Sequence, residues 1–145
     1  MLSASAYAAF TEAGPAVVTT DASFVVARVR TEREVPFHSG EVWTGTYYCA
    51  QGITDLDLEI EEVNGNEVQA IFSFAARGSG ATGRFDMNGT YQPSSRHLTL
   101  SAGDWISQPL GYQTVDLDGN LDAGGALFTG RVLGPGCSVF SVRRK

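Results

Sequence analysis

Between residues 42 and 144 apolar and polar side chains alternate, nearly one for one, in run after run. The clearest case is Thr54–Glu62 (TDLDLEIEE), where Leu56, Leu58 and Ile60 take one face and Asp55, Asp57, Glu59 and Glu61 the other. Successive side chains of a strand point to opposite faces, so this segment predicts a half-buried strand with an acidic outer surface. Val42–Cys49 (VWTGTYYC) sets Trp43, Gly45, Tyr47 and Cys49 against Thr44, Thr46 and Tyr48. Asn64-Gly65 is a strong short hairpin signal, expected as a type I′ turn. Beyond it, Val68, Ala70, Phe72 and Phe74 supply the apolar face of a returning strand.

The same reading continues toward the C-terminus. Gly83–Tyr91 places Phe85, Met87, Gly89 and Tyr91 on one face, and Pro93-Ser94-Ser95 turns the chain. Leu98 and Leu100 mark a short strand, followed by a corner at Asp104–Pro109 that carries Trp105. Tyr112–Asp118 reads as a strand, with Asp118-Gly119 opening a turn. Leu127–Val132 and Ser138–Arg143 complete the set on either side of Gly134-Pro135-Gly136. About eight short strands without intervening helices predict an all-β fold, a small antiparallel up-and-down barrel, with a β-sandwich as the alternative. Gly45, Gly89 and Gly130, inside strands, fit places where a barrel wall bends.

Residues 1–41 read differently, as a lead to the 42–145 barrel domain. Ala4–Phe10 is expected to form a short helix stopped by Gly14-Pro15, and Ser23–Arg30 an extra strand. Residues 31–40, broken by Pro36 and Gly40, read as a connection.

Composition narrows the classes. A chain of 145 residues fits one domain. Its 17 glycines exceed the usual share of about 7% and fit a turn-rich β fold. The formal charge of −6 argues against nucleic acid as a partner, because that needs a basic surface. No apolar run approaches the ~18 residues of a transmembrane helix, and no basic segment precedes an apolar block as in a signal peptide.

The two cysteines, Cys49 and Cys137, lie outside any C-x-x-C pair, so zinc and thioredoxin-like readings are weak. Each falls at a strand end. Either they are bridged, closing most of the barrel in one loop, or they are two buried thiols. The expectation is a disulfide, which places the chain in an oxidising, extracytoplasmic compartment.

The run Trp43-x-Gly45-x-Tyr47-x-Cys49-x-Gln51-Gly52, together with Gly134-Pro135-Gly136-Cys137 and the terminal Phe140-Ser-Val-Arg143, resembles an uncharacterised bacterial exported β domain. The resemblance covers residues 42–144. It implies a β fold and an extracytoplasmic setting, and it supplies no site. An early Trp beside Gly is also loosely similar to avidin-type and lipocalin-type barrels, as architectural analogy only.

The acidic strand invites a calcium reading, but side chains two apart on a strand stand about 6.6 Å apart, which is wide for one ion. It reads better as a solvated outer face. The Asp116/Asp118/Asn120/Asp122 series lacks the Glu of a calcium-binding loop and reads as a hairpin. No metal and no cofactor is expected. His38 and His97 accompany no local nucleophile signature.

Aromatic residues are the better lead. Trp43, Tyr47, Phe72, Phe85, Trp105 and Tyr112 would be core in a solid barrel and pocket lining in one with an open mouth. The reading that follows is a non-catalytic exported binding or accessory module, holding a small apolar ligand or a protein partner at one barrel end. One alternative is a barrel-type isomerase or cyclase using Tyr47, Tyr112, Asp86 and Asp116. Another is a secreted inhibitor acting through residues 77–83 or 101–109.

Overall fold

Nearly every alternating run becomes a strand, and the strands pair in chain order. The computed structural model describes residues 35–145, so the helix expected at Ala4–Phe10 and the strand expected at Ser23–Arg30 lie outside the described residues. The strands are β1 (Val42–Cys49), β2 (Gly52–Asn64), β3 (Glu67–Ala76), β4 (Thr82–Gln92), β5 (His97–Ser107), β6 (Asp116–Leu121), β7 (Leu127–Leu133) and β8 (Val139–Arg144). All neighbours are antiparallel, and β1 also pairs with β8, so the sheet closes into an eight-stranded up-and-down barrel rather than a sandwich. The compact unit begins at Val35 and takes in residues 35–41 as well as the strands.

Closure depends on close approach between backbones. A side chain at Gly45 would overlap the Ser141 carbonyl, one at Gly89 the Thr99 carbonyl, and one at Gly130 the Asp118 carbonyl. These glycines stand where neighbouring strands come too near for a Cβ.

The inward residues fill the barrel. Trp43, Leu58, Ile60, Phe72, Phe85, Leu98, Leu100, Phe128 and Val142 are buried in one continuous cluster. The acidic face of β2 points outward as expected. There Asp55 accepts from the Arg77 guanidinium at 2.8 Å, and Glu59 lies 3.7 Å from Arg84.

Phe37, in the segment read as a plain connection, closes one end of the barrel. Its ring packs 5.0 Å from Trp43, 5.7 Å from Phe128 and 5.9 Å from Tyr91. Arg144 fastens this plug. Its guanidinium donates to Glu41 Oε2 at 3.0 Å and to the Pro36 carbonyl at 2.8 Å, and it lies 4.6 Å over the Trp43 ring. Glu41 also accepts from the His38 backbone N–H and from the Trp43 indole. Partial burial alone would raise the Glu41 pKa, but these donors and the Arg144 charge outweigh it and hold the carboxyl below its usual value.

Four local expectations are corrected. The strand expected at Tyr112–Asp118 begins only at Asp116, and residues 112–115 lie in a loop. The Asp104–Pro109 corner is strand as far as Ser107, because β5 runs on opposite β4 through two register shifts, at Arg84/Phe85 and Phe85/Met87. The bulges break the period of two, and that hid the strand. Asp118-Gly119 is not a turn but the middle of β6, where a Cβ on Gly119 would meet Thr129 and Phe140. The Asn64-Gly65 hairpin is present, but its central residues are Gly65 and Asn66. Asn64 pairs with Glu67, and of the two central residues only Gly65 has positive φ (63°), the φ pattern of a type II′ rather than a type I′ turn.

Candidate functional site

The barrel end opposite Phe37 carries the turn 50–51, the loops 77–81 and 108–115, and the segment 134–138. Here β1 ends in Cys49, and Cys137 precedes β8. The two sulfurs are bonded across 88 residues of chain. Beside the bond, Ser138 N–H donates to the Tyr48 carbonyl at 2.9 Å, which continues the β1–β8 ladder to the rim. The expected disulfide and the closure of the barrel therefore occur at one seam.

A cavity of about 350 Å³ opens at this end. Its lining is Tyr47, Cys49, Ala50 and Gln51 from the first strand and turn, Gly111, Tyr112, Gln113, Thr114 and Val115 from the 108–115 loop, and Pro135 and Cys137 from the seam. The disulfide is thus part of the wall.

Tyr47 enters the site because it continues the inward register Trp43, Gly45, Tyr47 of β1. Its ring packs edge-on against Phe72 at 5.1 Å, and it is only 3% exposed. Opposite it in register stands Thr54, the buried polar residue among the described residues. Thr54 Oγ1 donates to the Gly52 carbonyl at 3.3 Å and accepts from Gln51 Nε2 at 3.1 Å. Burial, together with the neighbouring Tyr112 hydroxyl, raises the Tyr47 pKa well above the ordinary tyrosine value, against the opposing pull of hydrogen bonds from Thr54 and Gln51. Tyr47 is a neutral phenol at physiological pH.

Tyr112 reaches the site from a loop. Its ring stacks on Phe74 at 5.4 Å and its hydroxyl lies 3.4 Å from Ser79 Oγ. The loop is tied by Gln108 Nε2 donating to the Tyr112 carbonyl at 3.0 Å and turns on Gly111 at φ 81°. Leu110, one residue earlier, is fully exposed.

Of the six aromatics singled out from sequence, Tyr47 and Tyr112 line this cavity. Phe72 and Phe85 stack on each other at 4.6 Å inside the barrel. Trp43 lies at the plugged end under Phe37. Trp105 is half-buried and packs edge-on against Phe85 at 5.2 Å and Phe74 at 6.2 Å. The four residues considered for an isomerase do not converge. Asp86 alternates with the buried Phe85 and Met87 and faces outward, and Asp116 accepts the Ala102 backbone N–H at 2.8 Å.

The acidic residues of β6 and the turn after it have structural partners. Asp118 lies 2.7 Å from His97 Nε2, and Asp122 accepts from the Ala126 and Leu127 N–H groups. No group of three or more His, Cys, Asp or Glu side chains among the described residues is arranged to hold a metal ion. No helix among them is long and apolar enough to cross a membrane.

Sequence reasoning missed Thr54, Gln51 and Phe37. Thr54 was within reach, since the register of Leu56, Leu58 and Ile60 carried one step back puts a polar residue on the inner face. Gln51 stood in the Trp43–Gly52 run, but nothing in that run assigned it a role.

No family model matches this chain, and no curated protein matches it in sequence.

Proposed function

We propose that this domain is a non-catalytic binding module that holds a small molecule at the disulfide end of its barrel and works outside the cytoplasm. The observation that carries the reading is the cavity of about 350 Å³ between Tyr47, Tyr112 and the Cys49–Cys137 bond. Its size lies at the small end of the range for ligand pockets, roughly 300–1,000 Å³, and barrel mouths are a common place for them. Trp43, Leu58, Phe72, Phe85 and Phe128 pack in one buried cluster inside the barrel, which favours holding a ligand at the rim over enclosing a substrate along the barrel axis. The disulfide is compatible with an oxidising compartment. The resemblance of the Trp43–Gly52 and Gly134–Cys137 runs to an exported bacterial β domain supports the same setting.

A thermal-shift screen of small molecules against the full chain tests the reading. At least one compound is expected to raise the Tm of the wild type and to do so less for Tyr112→Ala. A screen in which no compound distinguishes the two proteins counts against it.

A protein partner at the same end is the second reading. Leu110 is fully exposed at the tip of the 108–115 loop and Ile106 is exposed at the end of β5. Substituting both with Ser would abolish such an interaction while leaving small-molecule binding at the cavity intact.

A further inference from the structure

The cavity wall carries hydrogen-bonding groups but no charge. Among its lining residues there is no Asp, Glu, Lys, Arg or His. Instead it offers the Tyr47 and Tyr112 phenols, the Gln51 and Gln113 amides and the Thr114 hydroxyl, set between apolar surfaces. We infer that the ligand of this site is an uncharged small molecule bearing an amide- or hydroxyl-type group, which the mouth selects against charged molecules of the same shape. The inference rests on the proposed binding role and narrows it from a small molecule of any kind to a neutral polar one.

Desolvation sets this preference. A charged ligand entering the mouth would lose water and gain no counter-charge from the wall, a cost that grows steeply as solvent is excluded. A neutral amide loses less, and each of its groups has a partner. Thr54 spends its hydroxyl hydrogen on Gly52 and its oxygen on Gln51 Nε2. That leaves Gln51 Oε1 to accept, and the protonated Tyr47 hydroxyl, already hydrogen-bonded with Thr54 and Gln51, with capacity for one further hydrogen bond. A wholly apolar ligand would leave these groups unpaired, which is itself unfavourable. Of the charged groups on the elements that frame this end, Asp116 accepts the Ala102 N–H and Asp55 pairs with Arg77.

Three probes of nearly one shape separate the possibilities: benzamide (neutral), benzoate (anionic) and benzamidine (cationic), titrated into the full oxidised chain by NMR near pH 7. Benzamide is expected to bind at the mouth, with benzoate and benzamidine at least tenfold weaker. Tyr47→Phe is expected to weaken benzamide about fivefold, as the loss of one hydrogen bond would. It should leave toluene, which has no group to pair, unchanged or tighter. Should Tyr47→Phe fail to fold, Gln51→Ala, at a half-buried turn position outside the strands, carries the same expectation. If a charged probe binds as well as benzamide, the selection for neutral ligands is wrong while the binding site stands. If none of the probes shifts a resonance of the mouth, the binding role itself falls, and this inference with it.

Discussion

Tyr47 stands directly between Thr54 of β2 and Phe140 of β8, because β1 pairs with both strands at that residue. Two positions further along β1, Cys49 is bonded to Cys137. One residue therefore belongs to the closing seam of the barrel and to the wall of the mouth, so the integrity of the site and the closure of the fold are linked. The disulfide connects the two. Reducing it, or replacing Cys49 and Cys137 by Ser, is expected to lower stability by about 4.6 kcal/mol in the chain-entropy model for a loop of this length. Denaturant titration with and without reductant measures this.

Gly45 tests the seam from the backbone. A Cβ there would overlap Ser141 and Val142 main-chain atoms, so Gly45→Ala must push β1 and β8 apart. The expected loss is about 3 kcal/mol or more, in the range of overpacked cores. Gly78→Ala is the control. Its Cβ would meet nothing nearer than 4.0 Å, and its effect should stay within about 0.5 kcal/mol.

The plugged end makes its own prediction. Phe37→Ala is expected to cost about 3–5 kcal/mol, the range for truncating a buried Phe, even though the residue lies outside every strand. Glu41→Gln removes the charge that faces Arg144 and should loosen the same plug. The Glu41 pKa is depressed in the folded protein, so its contribution is present above the unfolded value near 4.5 and is lost as pH falls below it. The acid limb of the stability profile should therefore be shallower in Glu41→Gln than in the wild type.

At alkaline pH the sign reverses. The folded pKa of Tyr47 is raised, so the native state holds its proton where the unfolded chain gives it up. The corresponding stability is complete below the unfolded value near 10 and falls as pH rises above it. Tyr91, also raised by burial, adds to this limb. Tyr47→Phe is expected to flatten the decline above pH 10, measured by denaturation at a series of pH values.

Much of the barrel was legible because a strand with one buried face must alternate. Leu56, Leu58 and Ile60 against Asp55, Asp57 and Glu59 leave little choice of register. Legibility ended where alternation was interrupted. The β5 bulges made Trp105 resemble a corner residue, and Gly119 resembled a turn because close strand approach and tight turns both call for glycine. The site was only half visible for a different reason. Aromatic composition nominates residues but does not sort them along the barrel axis, so Trp43 at the plug and Tyr47 at the mouth looked equivalent. Which end is open depends on Phe37 and on the path of residues 108–115, and neither carries a periodic signal.

Chemical-shift mapping of the full oxidised chain with saturating benzamide tests the central claim most directly. Perturbations are expected to concentrate at Tyr47, Gln51 and Gly111–Val115, with Trp43 and Phe128 at the plugged end unaffected. Perturbations confined to the outer wall around Tyr48, Ile53 and Val139, or none at all, would contradict it.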